Sequence, residues 1–432
     1  MKKRSGYRWF VFAVCFAFLL LHQSDRLLIG PLTTPIMETF GIDEAQMGWI
    51  FGGALIVAAV FYLIWGYLFD RYSRPKLLAL ASAIWGSTTW FSAIAPNFTT
   101  FFISRSSTGI DDSSYPGLFS LISDYFGPKM RGKVYGLLQL TAPLGYMIGL
   151  LAATMLGGLI GWRNLFYITG SLGIILAVVF FLFVRDAPRG QSEPEMENLE
   201  MIGAHRFDKQ VALGLFRKRS MLLLFAQGFV GIFPWNVITF WFFRYLEVDR
   251  GYDANTILFT MAPAILMLAA GYFVGGAVGD FFFRRTPRGR MLTAMFGVIT
   301  GAVLLYITIN IPDQNQSLFA IMMILTALFI PFAAPNVVST VYDITLPEVR
   351  STSLSIQYFM ENGGAALAPI LAGYIARLYS LETAILGICI TAWVLGAVIL
   401  GLTAYFVPAD IHTLRTQMQE RAQADSALQP AD

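Results

Sequence analysis

The stretch Arg105-Ser106-Ser107-Thr108-Gly109-Ile110-Asp111-Asp112 places three ionisable residues within eight positions. The segment around it, Thr100 to Leu121, otherwise reads as a membrane-spanning helix. A charge at such depth costs at least ~2.5 kcal/mol on insertion scales, so it normally faces a polar cavity or an opposite charge. Helical geometry sorts the three. Arg105 and Asp112 lie about two turns apart, on one face and roughly 10 Å apart along the axis. Asp111 points about 100° away from Asp112. Arg105 and Asp112 are therefore expected to face a cavity as a pair, and Asp111 is left unassigned.

The first apolar run carries matching charges, Asp25-Arg26, near its outer end. Arg105 enters its own run from the same side, so an Asp25–Arg105 or an Asp112–Arg26 pairing is expected. Burial and a neighbouring Arg act on such a carboxylate in opposite senses, which brings its protonation within reach of the working pH. Asp25 and Asp112 are thus candidates for binding a coupling proton. Arg26 and Arg105 are candidates for holding an anionic group of a solute or releasing the acids. The competing reading is a static buried ion pair that fixes helix packing. His22 lies three residues before Asp25 on roughly the same face. It is a candidate proton relay or a hydrogen-bonded packing residue.

These residues need a membrane scaffold, and the composition supplies one. Of 432 residues, 56% are hydrophobic and 13% charged, the latter about half the share in a soluble domain. Apolar runs long enough to cross a bilayer recur twelve times, at 8–29, 46–68, 76–95, 100–122, 132–156, 163–184, 220–243, 255–279, 289–309, 317–340, 352–376 and 383–407. The first run has a basic start like a signal peptide but is too long and lacks a small-residue cleavage site, so it is read as a retained span. The two cysteines, Cys15 and Cys389, fall in apolar runs and form no disulfide framework or metal-ligand spacing.

Lys and Arg set the topology. The loops on one face and both ends hold 24 of the 30, and the opposite loops hold only Arg163, Arg244, Arg250 and Arg377. This places both termini and the central linker in the cytoplasm. The expected organisation is a six-helix bundle over 1–184, a cytoplasmic linker over 185–219, a second bundle over 220–408 and a cytoplasmic tail over 409–432.

The two halves repeat. Gly66-x-x-x-Asp70 matches Gly276-x-x-x-Asp280, and Asp124-x-x-x-Pro128-x-x-Arg131 matches Asp343-x-x-x-Pro347-x-x-Arg350. Parallel six-span repeats imply a pseudo-two-fold axis along the membrane normal, a site between the halves and alternating access. The fold class is all-α, with twelve transmembrane helices in two related bundles.

Twelve spans and the loop Gly66-Tyr67-Leu68-Phe69-Asp70-Arg71-Tyr72-Ser73-Arg74-Pro75-Lys76 resemble the major facilitator superfamily over nearly the whole chain. Ser73 stands where that family usually has Gly. Asp25-Arg26, Arg105-x-x-x-Gly109-x-x-Asp112-x-x-Tyr115 and Val184-Arg185-Asp186-Ala187-Pro188-Arg189-Gly190 resemble the spinster family, with Asp112 in place of the usual Glu. Gly161-Trp162-Arg163-x-x-Phe166-Tyr167-Ile168-Thr169-Gly170 also resembles the anion:cation symporter family of sugar-acid carriers. Those carriers share the Asp-Arg of span 1 and a similar Arg and acid in span 4. The resemblance implies that Gly66, Asp70, Arg71, Arg74, Arg131, Asp280 and Arg350 close a cytoplasmic gate across the halves.

Other intramembrane polar groups are candidate substrate contacts or interhelical hydrogen bonds. They are Tyr115, Trp235, Asn236, Asn336, Gln357, Glu361 and Asn362. Gln139 belongs with them. Pro143, Gly145 and Gly149 suit a bent fifth span. No nucleophile–base set, phosphate loop or nucleotide-binding motif is present, so neither an enzyme nor a primary pump is expected.

The expected function is secondary active transport of a small amphiphilic or anionic organic solute, such as a lysolipid, sphingoid lipid or drug-like amphiphile, coupled to protons and needing no cofactor or metal. A proton-coupled sugar-acid carrier is the alternative, and a non-transporting sensor or lipid scramblase is the alternative of another class. The expected partners are the small-molecule substrate and membrane lipids, with no nucleic acid, for a monomer in a bacterial inner (plasma) membrane.

Overall fold

The computed structural model describes residues 3–126, 134, 137–138, 140–187, 214–345 and 350–427. Among the described residues every regular element is a helix. The apolar runs fix the helix limits closely. The runs at 8–29, 76–95, 163–184 and 289–309 become Lys3–Leu28, Arg74–Ile94, Trp162–Phe183 and Gly289–Ile309. Local chemistry sets the ends. Asp43 caps Glu44–Arg71 through a reciprocal box with Gln46, and this satisfies two donors that a helix start leaves open. Gly41 closes Thr33–Phe40 at φ 60°, a left-handed position that favours glycine. The last helix, Leu381–Ala427, runs through Pro408 well beyond the span expected to end at 407.

Among the described residues, ten helical segments are long and apolar enough to cross a membrane. The two expected spans missing from that set, the fourth and the eleventh, each carry several candidate residues. The fourth is broken into Phe98–Ser107, Gly109–Asp112 and Tyr115–Tyr125. The eleventh, Arg350–Leu378, is continuous but carries Gln357, Glu361 and Asn362. The polar residues that give these spans a role also dilute the signal by which a span is recognised.

The chain forms two compact units. One holds Met1–Ile202 with Asn236–Ile265 and Ala365–Ile385, and the other holds Gly203–Trp235, Leu266–Gly364 and Leu386–Asp432. In the first unit, small residues let helices touch at the backbone. Spans 3 and 6 meet where a Cβ on Gly86 would lie 2.6 Å from the Gly170 carbonyl oxygen. Spans 1 and 5 meet where a Cβ on Gly149 would lie 2.8 Å from the Ser24 carbonyl. In the second unit, Gly275 takes the same role against Phe332, its Cβ position lying 2.8 Å from Phe332 Cα. Between bilayer helices, where apolar burial gives little drive, such close packing and interhelical hydrogen bonds carry the association.

Candidate functional site

Span 4 reaches its site because it is interrupted. Thr108 and the pair Ser113-Ser114 separate its three helices. Ser and Gly pairs are a common cause of such breaks, and Pro116 restarts the helix in its first turn. Gly109 lies on span 2 so closely that a Cβ there would overlap the Ala54 carbonyl and sit 2.8 Å from the Ala58 nitrogen. The contact presses the Arg105–Asp112 stretch onto the neighbouring spans.

Both expected charge pairings are present. Arg105 Nη1 lies 3.5 Å from Asp25 Oδ2, and Arg26 Nε lies 3.4 Å from Asp112 Oδ2. The two pairs have different surroundings. Asp25 also accepts from Trp85 Nε1 at 3.1 Å, Thr89 Oγ1 at 3.2 Å and Thr169 Oγ1 at 2.5 Å. Three neutral donors thus hold Asp25 in place beside Arg105, whose guanidinium also stacks 5.1 Å from the Phe166 ring centre. Asp112 is held less. Its Oδ1 is buried with no hydrogen-bond partner, and its Arg26 partner leaves 31% of its side chain exposed.

Asp111 faces away from this pair but not from the site. It is fully buried, and its Oδ2 lies 2.5 Å from His22 Nε2. The other ring nitrogen of His22 lies 2.6 Å from the Tyr115 hydroxyl and 3.7 Å from Asp112 Oδ1. His22, Asp25, Arg26, Arg105 and Asp112 line one cavity with about 460 Å³ of atom-free space, part of it open to solvent. Phe51 and Phe240 stand in its wall and stack on each other with ring centres 4.7 Å apart.

The end of the first unit away from the basic loops is tied together around these rings. Arg244 pairs with Glu44 at 2.8 Å and with the Thr34 hydroxyl at 3.1 Å, and Thr34 donates to Glu247. Arg377 pairs with Asp43 at 3.3 Å. Trp241 Nε1 donates to the Pro369 carbonyl at 3.1 Å, and a Cβ on Gly48 would sit 2.7 Å from that same oxygen. The short helix Thr33–Phe40 and spans 2, 7 and 11 are therefore fastened to one another on this side of the cavity.

Near the basic loops, two arginine hubs repeat across the halves. Arg74, fully buried, bonds Asp186 at 3.0 Å through Nε, the Ala187 carbonyl at 2.6 Å, Ser120 and Asp124. Arg290 bonds Asp280 at 2.7 Å and Asp343. Asp124 and Asp343 are the repeated acids of the sequence. The described partners of Arg74 and Asp280 thus lie within their own half. Arg131 lies outside the described residues, and so do Gly66, Asp70, Arg71 and Arg350 beyond their helical backbone.

The remaining candidates fall elsewhere. Gln357 donates to Glu361 at 3.0 Å, while its own Oε1 is buried without a partner. Both donors of Asn336 are used by the Gly275 and Phe332 carbonyls, at 2.9 and 2.8 Å, which makes it a clamp between spans 8 and 10. Asn362 donates to the Tyr358 carbonyl one turn back. Trp235 is half-buried and Asn236 buried. Gln139 lies outside the described residues. Asp111, Trp85, Thr89 and Thr169 were not singled out from sequence. The first was set aside by ideal helical geometry, and the others are ordinary residues of spans 3 and 6 until their neighbours are known.

The profile of the Major Facilitator Superfamily matches residues 14–316. The chain is 27% identical to Protein spinster of Drosophila melanogaster over 86% of its length, and spans 62% of the length of that protein. It is also 27% identical to the probable L-galactonate transporter of Escherichia coli K12, over 86% of this chain and 84% of that one. Among solved structures, a bacterial homolog of the human lysosomal transporter spinster, in an inward-facing and occupied conformation, matches 94% of this chain and 97% of its own with a TM-score of 0.78 and 20% identity.

Proposed function

Since the chain belongs to the Major Facilitator Superfamily and is a membrane transporter related to spinster proteins and organic-anion carriers, we propose that it moves a small amphiphilic or anionic organic solute by proton-coupled alternating access. The observation that carries this reading is the Asp112–Arg26 pair on the cavity wall, 3.4 Å apart. A buried carboxylate stays ionised only while its charge is matched. When Asp112 takes a proton, it stops neutralising Arg26. The half-open guanidinium is then free to hold a carboxylate or phosphate of the solute. Asp25 and Arg105 form the second coupled pair, with Arg105 as the deeper cation. Coupling is thus an exchange of partners, with the arginines bound by acid or by solute but not by both.

A sugar acid would use the same arginines through its carboxylate, and the 27% identity to a probable L-galactonate transporter favours keeping that reading. A thermal-shift panel of purified protein at two pH values decides between them. Lysolipids, sphingoid phosphates, sugar acids and cationic drugs make up the panel, and hits are repeated with Arg105→Ala. A pH-dependent shift with sugar acids, lost in that variant, selects the sugar-acid carrier. Shifts confined to lipids or amphiphiles select the first reading. Uphill uptake of the hit into proteoliposomes under an imposed pH gradient then separates a carrier from a scramblase or sensor, and its absence overturns proton coupling.

A further inference from the structure

The buried charges around the cavity do not balance without an additional proton. Asp25, Asp111 and Asp112 are offset by Arg26 and Arg105 alone, and Asp111 is paired with neither arginine. An uncompensated buried carboxylate is among the costliest arrangements a membrane interior can hold. The group that faces Asp111 is His22, 3% exposed, with a carboxylate oxygen at Nε2 and the Tyr115 hydroxyl, which can accept or donate, at Nδ1. The groups around the pair are Asp25 on span 1 and Asp112 and Tyr115 on span 4, with Arg26 of span 1 on Asp112 and Tyr62 of span 2 beside Arg26. Span 3 contributes Trp85, whose ring meets the imidazole edge-on at 5.2 Å.

We propose that His22 and Asp111 form a buried proton store beside the cavity, with His22 doubly protonated at rest and Asp112 as the group it feeds. Two independent features support it. One oxygen each of Asp111 and Asp112 is buried with no hydrogen-bond partner, and both side chains are more than nine-tenths buried. His22 Nδ1 also stands 3.7 Å from that unpartnered oxygen of Asp112, a gap that a small side-chain rotation closes. The transfer balances. The Nδ1 proton passes to Asp112 Oδ1, which becomes a neutral acid. His22 keeps its Nε2 proton toward the ionised Asp111, and Arg26 loses its counter-ion. The net charge of the cluster is unchanged, but Asp111 is left ionised beside a neutral imidazole and Arg26 without its acid, so the step becomes favourable only when a solute anion takes the place of Asp112 on Arg26. The store sits at the cavity wall, with His22 and Asp112 lining the cavity and Asp111 set behind them.

The role given to Asp112 rests on the proton-coupled reading above, but the store itself is tested without any solute. The chain holds three histidines, His22, His205 and His412. Full-length protein labelled with ¹⁵N-histidine in lipid nanodiscs therefore gives three ring-nitrogen signal sets. His205→Gln and His412→Gln assign the third. At pH 7 both His22 nitrogens should carry protons in the unmodified protein. One of the two should be lost in Asp111→Asn, and Asp111→Glu should restore it. A singly protonated His22 in the unmodified protein overturns the proposal, even if Asp111→Asn fails to fold. A doubly protonated His22 that ignores Asp111→Asn overturns it as well. If the Asp111-dependent double protonation is found but pH-driven uptake is absent, the store stands and the coupling reading falls.

Discussion

Arg26 reaches Asp112 from span 1 at 3.4 Å, and it keeps 31% of its side chain exposed where Asp112 keeps 9%. The acid is sealed and the base is half open, so a change at the acid is felt at the cavity. Asp112→Asn should leave the protein folded, because amide and carboxyl have the same shape. It should reduce pH-driven uptake to background while downhill exchange persists. Asp25→Asn should also lose pH-driven uptake, but with a drop in stability, because Arg105 is buried and is left without its acid. Proteoliposome flux with and without an imposed gradient checks this, and unimpaired uphill transport in both variants would remove the coupling assignment.

Gly109 should tolerate no side chain. A Cβ there overlaps the Ala54 carbonyl, so Gly109→Ala must push span 4 off span 2. Overpacking of this kind costs about 1–3 kcal/mol. Gly158, with no atom within 4 Å of its Cβ position, is the control. Gly158→Ala should leave the melting temperature unchanged, and Gly109→Ala should lower it and weaken solute binding together.

Much of this arrangement was legible in the sequence. The depth of Asp25-Arg26 and Arg105 along their spans is read directly from position, and that gave both pairings. The fate of Asp111 was not legible. An ideal helix aims it about 100° from Asp112, and it does face away from that pair, but its partner His22 comes from span 1, 89 residues away, and leaves no local mark beside it. The fastening of Arg244 to Glu44 and Arg377 to Asp43 was hidden for a different reason. These arginines were counted for topology, and partners 200 and 334 residues away in the chain leave no local mark.

The Arg74 hub should be a stability element. Its side chain and that of Asp124 are 2% and 8% exposed, and removing one partner of a buried ion pair costs about 3–5 kcal/mol. Arg290 is the counterpart with wetter partners, since Asp280 is 57% exposed. Exposed pairs are worth about 1 kcal/mol or less. Arg74→Ala should therefore lower the thermal unfolding midpoint in detergent much more than Arg290→Ala. Equal losses would show that the two hubs carry similar loads despite their different burial.

The closure around Phe51 and Phe240 rests on ion pairs of modest strength. Arg244 and Glu44 are 13% and 25% exposed, and Arg377 and Asp43 are 46% and 37% exposed, so each pair contributes about 1 kcal/mol or less. Small terms still decide a population when two states are close in energy, since 1.4 kcal/mol is a factor of about ten. Removing both pairs with Arg244→Ala and Arg377→Ala should expose the cavity from the side away from the basic loops several-fold more often. Phe240→Cys, labelled by a membrane-impermeant thiol reagent, reads that exposure. The native thiols are shielded from the reagent, because Cys15 and Cys389 are both buried. A rise in labelling rate of about two- to tenfold over Phe240→Cys alone is expected. An unchanged rate would mean that the aromatic stack and the close contact of Gly48 with the Pro369 carbonyl hold this side shut without the charges.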